Sequence, residues 1–178
     1  MRELRTKRLV LREMPANLIA DCLHDPEHAL LSLGLRPAAQ WPTADTRDIL
    51  SILAQMVDPT TSNTGFNTFW LIARQNDKIV IGDAGFKGNP SPHGEVEVGY
   101  GIVPDEWQKG YGFEAVQALA NWAVEHDEVR IVRAECHKDN SGSIRILMKC
   151  GFTLRTEADG MLFWDKQRTD IGGNINQG

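Results

Sequence analysis

The chain has 178 residues, a formal net charge of −5, 42% hydrophobic residues and 24% charged residues, the composition of one globular domain with room for a sizeable core. The acidic balance argues against a nucleic-acid partner, and no apolar run approaches membrane-spanning length. The charged start MRELRTKRLV does not resemble a signal peptide, so we predict a cytoplasmic protein with no nucleic-acid or membrane partner.

The first third of the chain is predicted to be mostly helical. Alternating apolar residues predict a strand over 7–13, and 16–33 carries one or two helices broken at its proline. After a loop, Thr43 or Asp45 is the expected N-cap of another helix.

Three strands are predicted to follow one another in the middle of the chain. Segments 67–74 and 78–88 flank Gln75-Asn76-Asp77, which has the composition of a hairpin turn. A loop leads to a third strand over 95–103. Together these segments predict an antiparallel meander.

Helix and strand patterns alternate in the last third. Apolar residues at i, i+3, i+4 and i+7 predict a helix over 112–126, followed by a strand over 130–136. A short helix over 140–149 is expected to end at a left-handed Gly151, and a hairpin closes the order. The order predicts an α+β domain with a mixed sheet over residues 1–168, and a polar tail over 169–178.

The stretch WQKGYGFEA (107–115) is the first candidate binding motif. Gly110, Gly112 and Ala115 fit the G-x-G-x-x-A fingerprint of dinucleotide sites, with Glu135 near the place of a ribose-binding acid. Six residues separate the preceding strand from Gly110, and the preceding strands form a meander, so a nicotinamide site is disfavoured. A turn without a ligand and an acyl-CoA pyrophosphate site stay open, since amide N–H groups at a helix start suit a pyrophosphate.

Three motifs in order resemble the GNAT superfamily of acetyl-CoA-dependent N-acetyltransferases, most closely its ribosomal-protein N-terminal acetyltransferase branch. They are TKRLVLRE, EVEVGYGIVPDEWQKGYGFEAVQAL and NSGSIRILMKCGF, and the resemblance covers residues 5 to about 166. It implies the GNAT fold, with a mixed central sheet of about seven strands and flanking helices. It also implies acetyl-CoA as the acetyl donor.

The resemblance assigns the cofactor site residue by residue. Two strands splay apart in this family, and the backbone of one of them pairs with the pantetheine arm, which implies roles for Ile102 and Val103. Asn140 and Ser143 are implied near the same arm and the thiol. The pyrophosphate loop is implied to comprise Gln108, Lys109, Gly110, Tyr111, Gly112 and Phe113.

The same resemblance implies how the reaction is catalysed. An amine must lose a proton to attack the thioester, and the resemblance makes Glu97 the proton acceptor; Glu95, on the same face of the strand, is the weaker alternative. Many members carry a tyrosine where this chain has Leu147, so Ser143 becomes the candidate acid. Asn140 suits a helix N-cap as well as a catalytic contact.

The resemblance implies that the acceptor is a primary amine, either a protein N-terminus or a small molecule, and we expect segments 24–45, 59–67, 89–94 and 153–164 to select it. A non-catalytic acyl-CoA-binding module is the alternative function. Dimers are common in the superfamily, so a homodimer is among the expected assemblies. Adjacent residues of a strand point opposite ways, so Cys136 and His137 do not converge, and we predict no metal site. Trp41, Trp70 and Phe66 belong either to the acceptor pocket or to the core.

Overall fold

The structure, a computed structural model, describes residues 1–56 and 64–168. The predicted tail over 169–178 and most of the predicted turn over 59–65 lie outside these residues. In chain order the elements are β1 (Glu3–Arg5), β2 (Leu9–Glu13), α1 (Ala16–His24), α2 (Pro26–Leu31), β3 (Arg36–Pro37), α3 (Ala44–Met56), β4 (Phe69–Arg74), β5 (Ile79–Phe86), β6 (Glu95–Ile102), a 3₁₀ turn (Pro104–Glu106), α4 (Tyr111–Val124), β7 (Ile131–His137), α5 (Ser141–Lys149), β8 (Thr153–Ala158) and β9 (Met161–Gln167).

These strands form one mixed sheet in the order β1-β2-β4-β5-β6-β7-β9-β8, with β3 added beside β5. The pairs β6–β7 and β3–β5 are parallel and the other pairs are antiparallel. The predicted α+β class, mixed sheet and β4–β5–β6 meander are confirmed. The described part of the chain has nine strands, where about seven were expected. Among the strands missed are β1 and β3, which span three and two residues and are too short to show a period.

The sheet forks at β6. Glu95, Val96 and Glu97 pair with β7, whereas Val98 to Ile102 pair only with β5 on the other side. Strand β7 meanwhile stays paired with β9 along its whole length. A gap therefore opens between β6 and β7 beyond Glu97, and it positions the site described below.

The core decides the role of the three uncertain aromatic residues. Phe66 and Trp70 are fully buried, and both stack against Trp122 of α4. Trp41 is also buried, with its indole N–H donating to Asp83 Oδ2 at 2.8 Å. All three are core residues, because each packs its ring inside the domain and the two tryptophan N–H groups are satisfied there.

Helix ends follow local chemistry. The hydroxyl of Thr43 accepts from the backbone N–H of Thr46, so Thr43 rather than Asp45 caps α3. Gly151 has φ of +81°, and the backbone N–H groups of Gly151 and Phe152 donate to Met148 and Leu147. This is the Schellman arrangement, and it confirms the predicted left-handed glycine.

Candidate active site

The backbone of β6 turns some of its groups toward the gap and the others toward β5. Val103 N–H donates to Ile81 O at 2.9 Å, and Lys87 N–H donates to Glu97 O at 2.8 Å. The backbone groups of Val103 and Glu97 therefore face β5. Backbone groups alternate in direction along an antiparallel ladder, which turns those of Val98, Tyr100 and Ile102 toward the gap.

This alternation separates the two residues expected to pair with pantetheine. Ile102 faces the gap, and its carbonyl accepts from the Trp107 indole N–H at 2.6 Å. Val103 faces β5, is buried, and accepts at its carbonyl from Glu106 N–H. Both backbone groups of Val103 are therefore engaged inside the protein, and Tyr100 occupies the position that suits pairing in the gap.

The glycine loop lies at the start of α4. Gly110, the N-cap, has φ of +82°, and Gln108 has φ of +60°, so the chain turns sharply before the helix begins. The first four N–H groups of a helix have no partner within it, and here they belong to Gly110 through Phe113. A Cβ on Gly112 would lie 2.8 Å from Ile146 Cδ1, so this glycine permits α4 and α5 to approach closely.

Arg8 holds this loop, and sequence reasoning missed it. Its guanidinium donates to Lys109 O and to Glu114, and it lies over the Tyr111 ring at 4.4 Å from the centroid. Lys109 itself is paired with Glu106 at 3.0 Å. Because Arg8 lies 101 positions before Lys109 in the chain, its contact with the loop could not be found from sequence spacing.

A pocket of about 220 Å³ opens in the gap and gathers the remaining predicted residues. It is lined by Lys87, Glu97, Val98, Gly99, Tyr100, Glu135, Cys136, Asn140 and Ser143. Glu97, Asn140 and Ser143 thus line one pocket. Glu95 is not among the lining residues, and it pairs with Arg133 at 2.7 Å.

Two hydroxyl groups meet in this pocket. Tyr100 Oη lies 2.8 Å from Ser143 Oγ, and burial raises the pKa of Tyr100 to about 12. Asn140 Oδ1 accepts from the Ser143 backbone N–H at 3.0 Å, which fixes the first turn of α5. Tyr100 was assigned no catalytic role from sequence, although it lies three residues after Glu97.

A lysine joins two carboxylates at the pocket wall. Lys87 Nζ forms ion pairs with Glu97 and, at 2.7 Å, with Glu135. Desolvation lowers the pKa of Lys87, but hydrogen bonds with Glu135 and Glu97 outweigh it and raise that pKa. The ammonium is therefore firmly protonated, and Glu135 serves here as an ion-pair partner.

The residues fit an extended ligand such as coenzyme A. The outward-facing β6 backbone suits an amide-containing arm, and the N–H groups at the start of α4 suit a pyrophosphate. The two features adjoin, because a Cβ on Gly112 would also lie 3.8 Å from Ile102 Cγ1. The pocket with Glu97 and Ser143 lies farther along the same gap.

Comparison with known proteins gives the family. Residues 8–153 match the model of the acetyltransferase (GNAT) domain. The chain is 29% identical to the uncharacterized N-acetyltransferase YjdG of Bacillus subtilis (strain 168) over 161 residues, 90% of this chain and 95% of that protein. It is 28% identical to the uncharacterized N-acetyltransferase p20 of Bacillus licheniformis, over 85% of this chain and 83% of that one.

A solved structure has the same fold. The ribosomal-protein-S5-alanine acetyltransferase of Vibrio fischeri superposes with a TM-score of 0.64 at 17% identity, covering 97% of this chain and 100% of that one. This chain therefore belongs to the GNAT family, is an acetyl-CoA-dependent N-acetyltransferase, and has the predicted fold. None of its described helices is long and apolar enough to cross a membrane.

Proposed function

We propose that the chain transfers an acetyl group to a primary amine by direct attack, with Glu97 as the proton acceptor. The observation that carries the proposal is the convergence of Glu97, Ser143 and Asn140 on one pocket at the fork of the sheet. A positioned base contributes about 10²–10⁴-fold to the rate of such a reaction.

Each group has a distinct part in the proposed reaction. Acetyl-CoA, when bound, supplies an acetyl thioester. Glu97 takes a proton from the acceptor ammonium so that its nitrogen has a free electron pair. The backbone N–H groups of β6 that face the gap are suited to stabilise the negative charge that develops on the thioester carbonyl oxygen. Ser143 is suited to contact the thioester sulfur. Asn140 holds the turn that carries Ser143.

The ion pair with Lys87 bears on how Glu97 works. The incoming ammonium competes with Lys87 for the same carboxylate, and its arrival displaces Lys87 toward Glu135. Such a site favours acceptors whose amine is protonated in solution, which protein N-termini, polyamines and amino sugars share.

The test compares two carboxylates of one strand. Glu97→Gln is expected to lower kcat/KM for amine acetylation by at least about 10²-fold, and coenzyme A affinity stays within twofold. Glu95→Gln is the matched control, because Glu95 lies two residues away on the same strand face but pairs with Arg133 outside the pocket. The variant is expected to retain activity.

Two results would contradict the proposal. Equal activity of the Glu97→Gln and wild-type enzymes would remove Glu97 as the base. Coenzyme A binding without acetylation of protein N-termini, polyamines or amino sugars would instead support the alternative, a non-catalytic acyl-CoA-binding module.

A further inference from the structure

The Tyr100–Ser143 hydrogen bond joins β6 to the first turn of α5 across the gap. Its two oxygens are 2.8 Å apart, and both side chains line the pocket. A serine side chain often bonds a backbone group nearby in its own segment. Ser143 Oγ bonds a phenol from another element instead, so its orientation depends on tertiary structure.

The hydroxyl groups of Tyr100 and Ser143 carry two protons, and the hydrogen bond between them uses only one. A hydroxyl has one donor and two acceptor positions, so if Tyr100 donates to Ser143, the proton of Ser143 is left for another acceptor. Asn140 already satisfies the backbone N–H of Ser143 and thereby holds the residue in place. The remaining direction is toward the pocket, where the leaving sulfur is expected under the proposed function.

We propose that Tyr100 is a positioning residue, whose hydroxyl donates to Ser143 and directs the Ser143 proton at the sulfur of coenzyme A. The inference rests on the proposed function for the place of that sulfur. As the N–C bond forms and the C–S bond breaks, the electron pair of the C–S bond stays on sulfur. Glu97 passes the proton taken from the ammonium group to solvent and then accepts the second proton, which the nitrogen loses as the amide forms. The hydroxyl pair stabilises the negative sulfur by a hydrogen bond.

Acid strength disfavours full proton transfer from the tyrosine to the sulfur. Burial raises the pKa of Tyr100 to about 12, whereas a thiol such as that of cysteine has a pKa of about 8.5. The equilibrium therefore leaves the proton on this phenol rather than on a thiolate. Tyr100 stays protonated throughout and acts through Ser143. This role differs from that of a general acid and gives a different experimental signature.

The first measurement needs no acceptor. The pKa of the thiol of bound coenzyme A is read from the ultraviolet absorbance of the thiolate, with the desulfo-coenzyme A complex as the reference. A hydrogen bond to a charged group is worth about 1.5–3 kcal/mol, so Ser143→Ala is expected to raise this pKa by about one to two pH units. Tyr100→Phe is expected to raise it by a smaller amount.

The double variant tests the coupling. If Tyr100 acts only through Ser143, adding Tyr100→Phe to Ser143→Ala changes the thiol pKa no further. Ser143→Thr restores a hydroxyl and is expected to restore the wild-type value. Ser32→Ala is the control, since it removes a serine hydroxyl that bonds Ala29 O outside the pocket.

A kinetic readout complements the spectroscopic one. Tyr100→Phe and Ser143→Ala are each expected to lower kcat with the KM for acetyl-CoA within twofold, because the hydrogen bond strengthens as charge develops on sulfur. A purely structural tyrosine would instead lower the thermal midpoint and leave the thiol pKa unchanged.

The outcomes separate the two proposals. A wild-type thiol pKa in Tyr100→Phe, or an additive effect in the double variant, overturns the inference. A wild-type protein that binds coenzyme A and acetylates no amine refutes the proposed function, while the thiol pKa still decides the inference. Failure to bind coenzyme A refutes both.

Discussion

Asp83 gives a sharp test of the energetics of the fold, because its carboxylate is buried in β5 and accepts hydrogen bonds from uncharged groups. Its Oδ2 accepts from Trp41 Nε1 at 2.8 Å and from Thr46 Oγ1 at 2.7 Å. Burial raises the pKa of Asp83 to about 6, and the hydrogen bonds from Thr46 and Trp41 offset only part of that rise. The perturbation is Asp83→Asn, which keeps the shape and removes the charge.

The sign and size follow from linkage. Between pH 3.8 and about 6 the unfolded chain has lost the Asp83 proton while the folded chain retains it, so wild-type stability falls as pH rises. At about 1.36 kcal/mol per pH unit, the loss amounts to about 3 kcal/mol and is complete above pH 6. Asparagine does not titrate, so the free energy of unfolding of Asp83→Asn relative to wild type should rise by about 3 kcal/mol across this window.

The assay is urea unfolding of both proteins at several pH values from 3.5 to 8, the range over which this linkage operates. Any loss of packing or hydrogen bonding in the variant shifts its stability equally at all pH values, so only the pH dependence decides. Asp77→Asn is the control of opposite sign, because hydrogen bonds and the ion pair with Arg74 outweigh desolvation and lower the pKa of Asp77. A stability difference for Asp83→Asn that stays constant with pH would refute the reasoning.

Three further changes probe the site. Lys87→Met should lower the KM for the amine acceptor, since it removes the ammonium group that competes with the acceptor for Glu97; an unchanged KM would count against this competition. Gly110→Ala and Gly151→Ala impose similar left-handed strain of about 1–2 kcal/mol each, so both should lower the thermal midpoint. Calorimetry should find weaker coenzyme A binding only for Gly110→Ala, because only Gly110 lies in the glycine loop. Arg8→Ala should also weaken coenzyme A binding, by releasing the loop at Lys109, and unchanged affinity would show that the loop needs no such support.

The helix ends show which features of the fold short-range sequence patterns can predict. The sequence predicted the Asn140 cap and the left-handed Gly151, because each depends on hydrogen bonds between residues at most five positions apart. Strands and helices were predicted for the same reason, since their periods are written in neighbouring residues. The strands β1 and β3 were not predicted, because a strand of two or three residues is defined by its pairing with a neighbouring strand.

The sequence by itself determined the order of all the longer elements, the family and the residues Glu97, Asn140 and Ser143 as candidates. Only the tertiary structure decided which of their neighbours complete the site. Tyr100 meets Ser143 across 43 positions, and Arg8 reaches the glycine loop across 101. At the fork, the backbone groups of Tyr100 face the gap and the N–H of Val103 faces β5, and this depends on which strand each group pairs with. Such contacts are set by how the sheet and helices pack, and no local period in the chain encodes them.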